Sequence, residues 1–196
     1  MTGQTPIAPS ADIANTGRVP DLRPEELSPL QQQLRQDIAG PRGGVVRGPF
    51  ALWLRIPALA DRANQLGNAL RLEGKLDKRV FEVVILVVAR HWSAQYEWFA
   101  HAQAAQSVGV SATVIEAIRQ RAAPASPQAD EQLAWALTLE LNEQKHLSEA
   151  SHAQGVAMFG VEGMIELVTV AGFYTMVAMM INAFDAPVPG GARPLD

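Results

Sequence analysis

The sequence predicts an all-α protein, and three observations carry that reading. Almost every long segment opens on a helix-capping residue or a proline, and several close on glycine. Between these marks the apolar residues recur at intervals of three and four, the period of a helix with one buried face. No companion strand pattern is present, and an isolated strand has nothing to pair with.

Taken in order, Ser28-Pro29 sets a cap before a proline at the first helical position, and the helix runs to a stop at Gly40. Gly40 to Phe50 (GPRGGVVRGPF) is too rich in glycine and proline to be a regular element. Pro57 opens a helix that carries Leu59, Ala63, Leu66 and Leu70 on one face. Asp77 caps KRVFEVVILVVARHW, whose VVILVV core reads equally as buried strand or buried helix; the lack of a partner strand decides for helix. Ser93 to Val108 is alanine-rich and ends at Gly109. Ser111 caps a short helix with Val114, Ile115 and Ile118 facing inward. After the loop PASPQAD, Ser126-Pro127 opens a helix through Leu133, Leu137 and Leu141, and Ser148 starts another that ends near Gly160. A last apolar helix runs from about Val161 to Phe184, for seven or eight helices in all.

With 196 residues the chain is long enough for one packed domain. Residues 1–20 read as a flexible arm without the basic start and apolar core of a secretory signal, 21–186 as the helical domain, and 187–196 as a Pro/Gly-rich tail, loose or strapped across an interface. Leu167 to Ile181 is apolar but shorter than the roughly 20 residues a spanning helix needs, with Glu162 and Glu166 before it and Asn182 and Asp185 after it. It reads as a core or subunit-interface helix rather than a membrane span.

A formal net charge of −4 with no basic block argues against nucleic acid or an anionic membrane as partner. The absence of cysteine removes thiolate nucleophiles, disulfides and Cys-ligated metals, and is compatible with a cytoplasmic protein.

The chemistry concentrates in two segments. Glu82 sits inside the apolar FEVVILVV, where a carboxylate is costly to bury unless paired or protonated. Glu97 and His101 lie four residues apart and share a helix face. Together the three suggest a carboxylate–imidazole–carboxylate cluster, one carboxylate orienting the imidazole and the other, desolvated, holding a proton. The same residues also allow a plainer arrangement: an intrahelical Glu97–His101 hydrogen bond, with Glu82 capping or salt-bridged to Arg79 or Arg90. One histidine and two carboxylates can also bind iron, manganese or zinc, but the di-iron helical motif spaces Glu and His by three and occurs twice. No metal and no organic cofactor are expected. GPRGGVVRGPF offers backbone N–H groups with Arg42 and Arg47 for an anionic ligand, or a structural turn with its arginines in solvent. Tyr96, Tyr174 and His91 are further candidates to line a site, each also explicable as packing.

Arg79 to Ile118, RVFEVVILVVARHWSAQYEWFAHAQAAQSVGVSATVIEAI, resembles the signature region of the carboxymuconolactone decarboxylase family within the alkylhydroperoxidase D-like superfamily. The peroxidase branch carries Glu, eleven residues, Cys, two residues, Cys, three residues and His; here these positions are Glu82, Ala94, Glu97 and His101. Glu and His are kept and both cysteines are replaced, so thiol-disulfide peroxidase chemistry at this site is excluded. The cysteine-free decarboxylase branch is the better match. The resemblance implies a single-domain helical bundle assembled as trimers or hexamers. It also implies decarboxylation, or a related proton transfer, on a small carboxylated unsaturated lactone or related cyclic acid. In that reading His101 donates the proton, Glu97 orients it, Glu82 completes the relay, and Arg42 or Arg47 holds a carboxylate. A lactone isomerase or hydrolase using the same groups, or a silent binding protein on the same fold, remain the alternatives.

Overall fold

The computed structural model describes residues 17–40 and 44–196. Among these, no strand occurs and eight α-helices follow one another: α1 Pro29–Ala39, α2 Pro49–Trp53, α3 Pro57–Asn68, α4 Lys78–His91, α5 Gln95–Ser107, α6 Ala112–Arg119, α7 Ala129–Gln144 and α8 Glu149–Phe184. The α8 helix is broken at Gly160, whose φ of 71° and ψ of 173° are not helical, so the stop expected there divides it into two helical parts.

The start signals act through their side chains. Ser28 accepts from the Gln31 N–H at 3.3 Å while the Gln31 side chain accepts from the Ser28 N–H at 2.9 Å, a reciprocal capping box. Asp77, Ser111 and Ser148 cap α4, α6 and α8 in the same sense. Ser126 works differently. Its hydroxyl donates to Glu131 Oε2 at 2.6 Å and accepts from the Gln128 N–H at 3.1 Å, so α7 begins at Ala129, later than the Ser-Pro pair suggests. In the glycine-rich stretch, Pro49 and Phe50 already belong to α2, a correction to its reading as wholly irregular.

The VVILVV segment is helix and forms the centre of the molecule. Every residue from Val80 to Ala89 is buried, and α4 packs against α5, α7 and α8 at once. A helix covered on all sides shows no polar stripe, which is why its periodicity is silent. The α3 helix ends in a π-turn, Ala69–Glu73, a widening that moves the following side chains out of α-helical register.

Both ends of the described chain are tied down. The Arg18 N–H donates to the Phe184 carbonyl at 2.9 Å and its guanidinium to that of Ala183 at 3.0 Å, satisfying carbonyls at the C-terminus of α8. The tail crosses the start of α5: the Leu195 N–H donates to Gln95 Oε1, and Gln95 Nε2 donates to Asp196 Oδ1. It is therefore a strap within the protomer. Among the described residues one helix, α8, is long and apolar enough to cross a membrane, but half of its most apolar window is buried inside the fold.

The turn before α4 is held by Glu166, which accepts from the N–H groups of Lys75 at 2.8 Å and Leu76 at 3.2 Å. A Cβ on Gly74 would run into that carboxylate and lie 2.6 Å from the Leu70 carbonyl oxygen. Gly74→Ala is expected to cost about 1–3 kcal/mol through overpacking, read as a lowered midpoint in denaturant unfolding; an unchanged midpoint would show that the turn yields freely.

Candidate functional site

The α4 and α5 helices run antiparallel through the short turn after His91, so side chains early in α4 meet those in the middle of α5. Glu82 and His101 meet in this way: His101 Nδ1 lies 2.7 Å from Glu82 Oε2, with both side chains almost wholly buried. The other Glu82 oxygen is 3.9 Å from Arg71 Nη1. A second Arg71 nitrogen donates to the Tyr174 hydroxyl at 2.7 Å, and the guanidinium lies 5.8 Å from the centre of the Phe81 ring.

His101, Glu97, Tyr96, Tyr174, Arg47 and Arg71 share the wall of one cavity of about 470 Å³. Phe50, Phe173, Val177 and Ile181 supply much of the apolar remainder. With Nδ1 engaged by Glu82, the His101 nitrogen left for a bound molecule is Nε2. The His101 ring stands edge-on to Tyr174, 4.9 Å between centres. Volume, aromatic walls and a few converging polar groups are what a small-molecule site requires.

Glu97 is the outlier. It is 1% exposed, and neither carboxyl oxygen has a hydrogen-bond partner. Burial alone pushes its pKa well above the ordinary value, which favours the neutral acid. The resemblance implied that Glu97 orients the imidazole; in the structure it is Glu82 that contacts the ring, while Glu97 is desolvated and unpartnered. Nor does the plainer arrangement form. Arg79 pairs with Asp77, Asp130 and Glu131, and Arg90 binds the Arg119 carbonyl and Ser93.

Of the remaining candidates, Arg47, Tyr96 and Tyr174 line the cavity and His91 does not. His91 ends α4 and is half-buried beside Trp92, where burial first and then the charges of Lys145 and Arg121 lower its pKa. Its apolar neighbours in sequence belong to another side of the helix. Arg42 lies outside the described residues. Gly48, at φ 59°, abuts the Tyr96 ring so closely that a Cβ has no room, which brings Arg47 and Phe50 over the cavity. Burial raises the pKa of Tyr96 and Tyr174, keeping both phenols protonated. No three His, Asp or Glu side chains among the described residues converge as a metal-binding set.

Arg71 was not a sequence candidate. In LRLEG it reads as one more surface charge on a helix, and its contact to Tyr174 spans 103 positions. The π-turn that carries it is a frequent mark of functional sites, but it leaves no trace in the sequence.

The fold is of the alkylhydroperoxidase D-like helical type. Residues 57–138 match the model of the carboxymuconolactone decarboxylase family. Solved structures agree on the fold. An uncharacterised peroxidase-related protein from Silicibacter sp. TM1040 superposes with a TM-score of 0.68 at 18% identity, over 81% of this chain and 86% of that one. The debrominase Bmp8 without ligand gives a TM-score of 0.70 at 13% identity, over 94% and 97% of the two chains. Its cysteine-to-alanine variant in complex with 2,3,4-tribromopyrrole gives 0.64 at 15% identity, over 89% and 91%. No curated protein matches the sequence.

Proposed function

We propose that the protein is an acid–base enzyme of the decarboxylase type, acting on a small carboxylated unsaturated lactone or related cyclic acid. The observation that carries this reading is the buried His101–Glu82 pair at 2.7 Å on the wall of an aromatic-lined cavity. The substrate's C–CO2⁻ bond breaks, CO2 leaves, and the electron pair delocalises onto a conjugated carbonyl oxygen. The His101 imidazolium then donates its Nε2 proton to the carbon, and Glu82 steadies the charged ring before transfer. Arg47 is the candidate to hold a carboxylate at the mouth. The chemistry needs no organic cofactor, because the substrate's own carbonyl is the electron sink. That the debrominase of the same fold holds a small planar ring is consistent with a ring substrate.

The chain has no thiol, so the peroxidase route through a cysteine pair is closed to it. Self-assembly belongs to the same reading: Val161, Ile165, Val168 and Met179 leave an exposed apolar stripe on α8 of the kind a second copy covers.

The test is ultraviolet absorbance of a panel of carboxylated muconolactones and related enol lactones with the purified protein. Loss of the conjugated-acid band with release of CO2 is expected. A panel that stays untouched, while each lactone is shown to bind, would overturn the decarboxylase reading.

A further inference from the structure

Arg71 and Tyr174 come from distant parts of the chain and meet on the cavity wall, 2.7 Å apart, beside His101. The direction of this bond matters. The guanidinium can only donate, so the Tyr174 oxygen accepts and its own O–H proton remains to be given elsewhere. Arg71 has five N–H groups, of which one serves Tyr174 and another faces Glu82 at 3.9 Å. The pair is fixed before any ligand arrives. Phe81 and Phe173 pack edge-on against the Tyr174 ring, and Phe81 also lies under the guanidinium. Burial raises the pKa of Tyr174 strongly, so the phenol stays a donor. Two donors already held in place favour a charged oxygen over a neutral one, because they need little reorganisation to meet it.

We propose that Arg71 and Tyr174 form an oxyanion site that takes the enolate-type oxygen of a small ring ligand whose adjacent carbon faces His101. For catalysis this rests on the decarboxylase reading: the electron pair left by CO2 moves onto that oxygen, is held there, and returns to carbon as His101 delivers the proton. As a binding site it stands alone. The ligands it selects are planar rings bearing an acidic oxygen, such as enols and phenols, in their ionised form.

The test uses para-nitrophenolate, at a pH where it is ionised, and its neutral isostere para-nitrotoluene. Both are titrated against the full-length protein, Arg71→Met, Arg71→Lys and Tyr174→Phe, with circular dichroism as the check on folding. The wild-type protein is expected to bind the phenolate at least about tenfold tighter than the isostere, as charge-assisted hydrogen bonds are stronger than neutral ones. Tyr174→Phe and Arg71→Met should each erase about tenfold of that preference without changing para-nitrotoluene binding, and Arg71→Lys should restore part of it. No anion preference in the wild-type protein, or one that survives both Tyr174→Phe and Arg71→Met, overturns the site. Should Arg71→Met fail to fold, Tyr174→Phe decides alone. An intact phenolate preference without lactone turnover would sink the decarboxylase reading only; lactone turnover at the wild-type rate in folded Tyr174→Phe and Arg71→Met would sink the catalytic role of the oxyanion site and leave the decarboxylase reading standing.

Discussion

His101→Ala is expected to lower kcat on a turned-over lactone by about 10²- to 10⁴-fold, the usual worth of a positioned general acid, with KM changed far less. The reason is positional. His101 is the one histidine on the cavity wall among the described residues, and its Nδ1 is already committed to Glu82 at 2.7 Å. Glu82→Gln keeps the shape but removes the charge that steadies the imidazolium and sets which nitrogen carries the proton. Its loss should therefore fall in kcat too, and be smaller than that of His101→Ala. Added imidazole should partly rescue His101→Ala, because the cavity left by the ring is of the right size, and should not rescue Glu82→Gln. Steady-state kinetics of both variants decide the matter. Wild-type kcat in His101→Ala would place the chemistry elsewhere on the wall.

The helices were legible because their starts are written locally. Ser28, Asp77, Ser111 and Ser148 each cap within a few residues of their own position, and Gly160 breaks α8 where the sequence places a stop. The three residues proposed for the chemistry stand out in the sequence for a different reason: Glu82 contradicts its apolar surroundings, and Glu97 and His101 share a helix face. Which carboxylate serves the imidazole was not legible. Spacing of four puts Glu97 near His101, but the meeting of α4 with α5 turns the ring to Glu82 and strands Glu97 in the wall. Arg71 was hidden by the same limit, since a π-turn and a partner on α8 are tertiary facts. His91 erred in the opposite sense. Its apolar neighbours suggested a pocket, whereas their side chains face the core and His91 faces Trp92.

Glu97 gives a prediction that needs no substrate. Its folded pKa is raised well above the ordinary value by burial alone, while in the unfolded chain it titrates normally, near about 4.3. Below that pH both states hold the proton, and the group adds nothing to the pH dependence. Above it the unfolded chain releases the proton and the folded one keeps it. Folding is then disfavoured by about 1.4 kcal/mol per pH unit until the folded pKa is reached. The sign is a loss of stability as pH rises through the weakly acidic range. Glu97→Gln, neutral at every pH and nearly the same shape, should abolish this slope. The variant should match the wild-type protein at pH 4 and exceed it in stability at pH 7. Denaturant unfolding at a series of pH values reads the difference directly, because the other carboxylates, including exposed Glu116 held down to about 2 by Arg119 and Gln120, are common to both proteins. Parallel curves for the two proteins would mean that Glu97 is charged or solvated in the folded state. A stabilised variant that has also lost activity would show a site that keeps an unpartnered acid at the expense of stability.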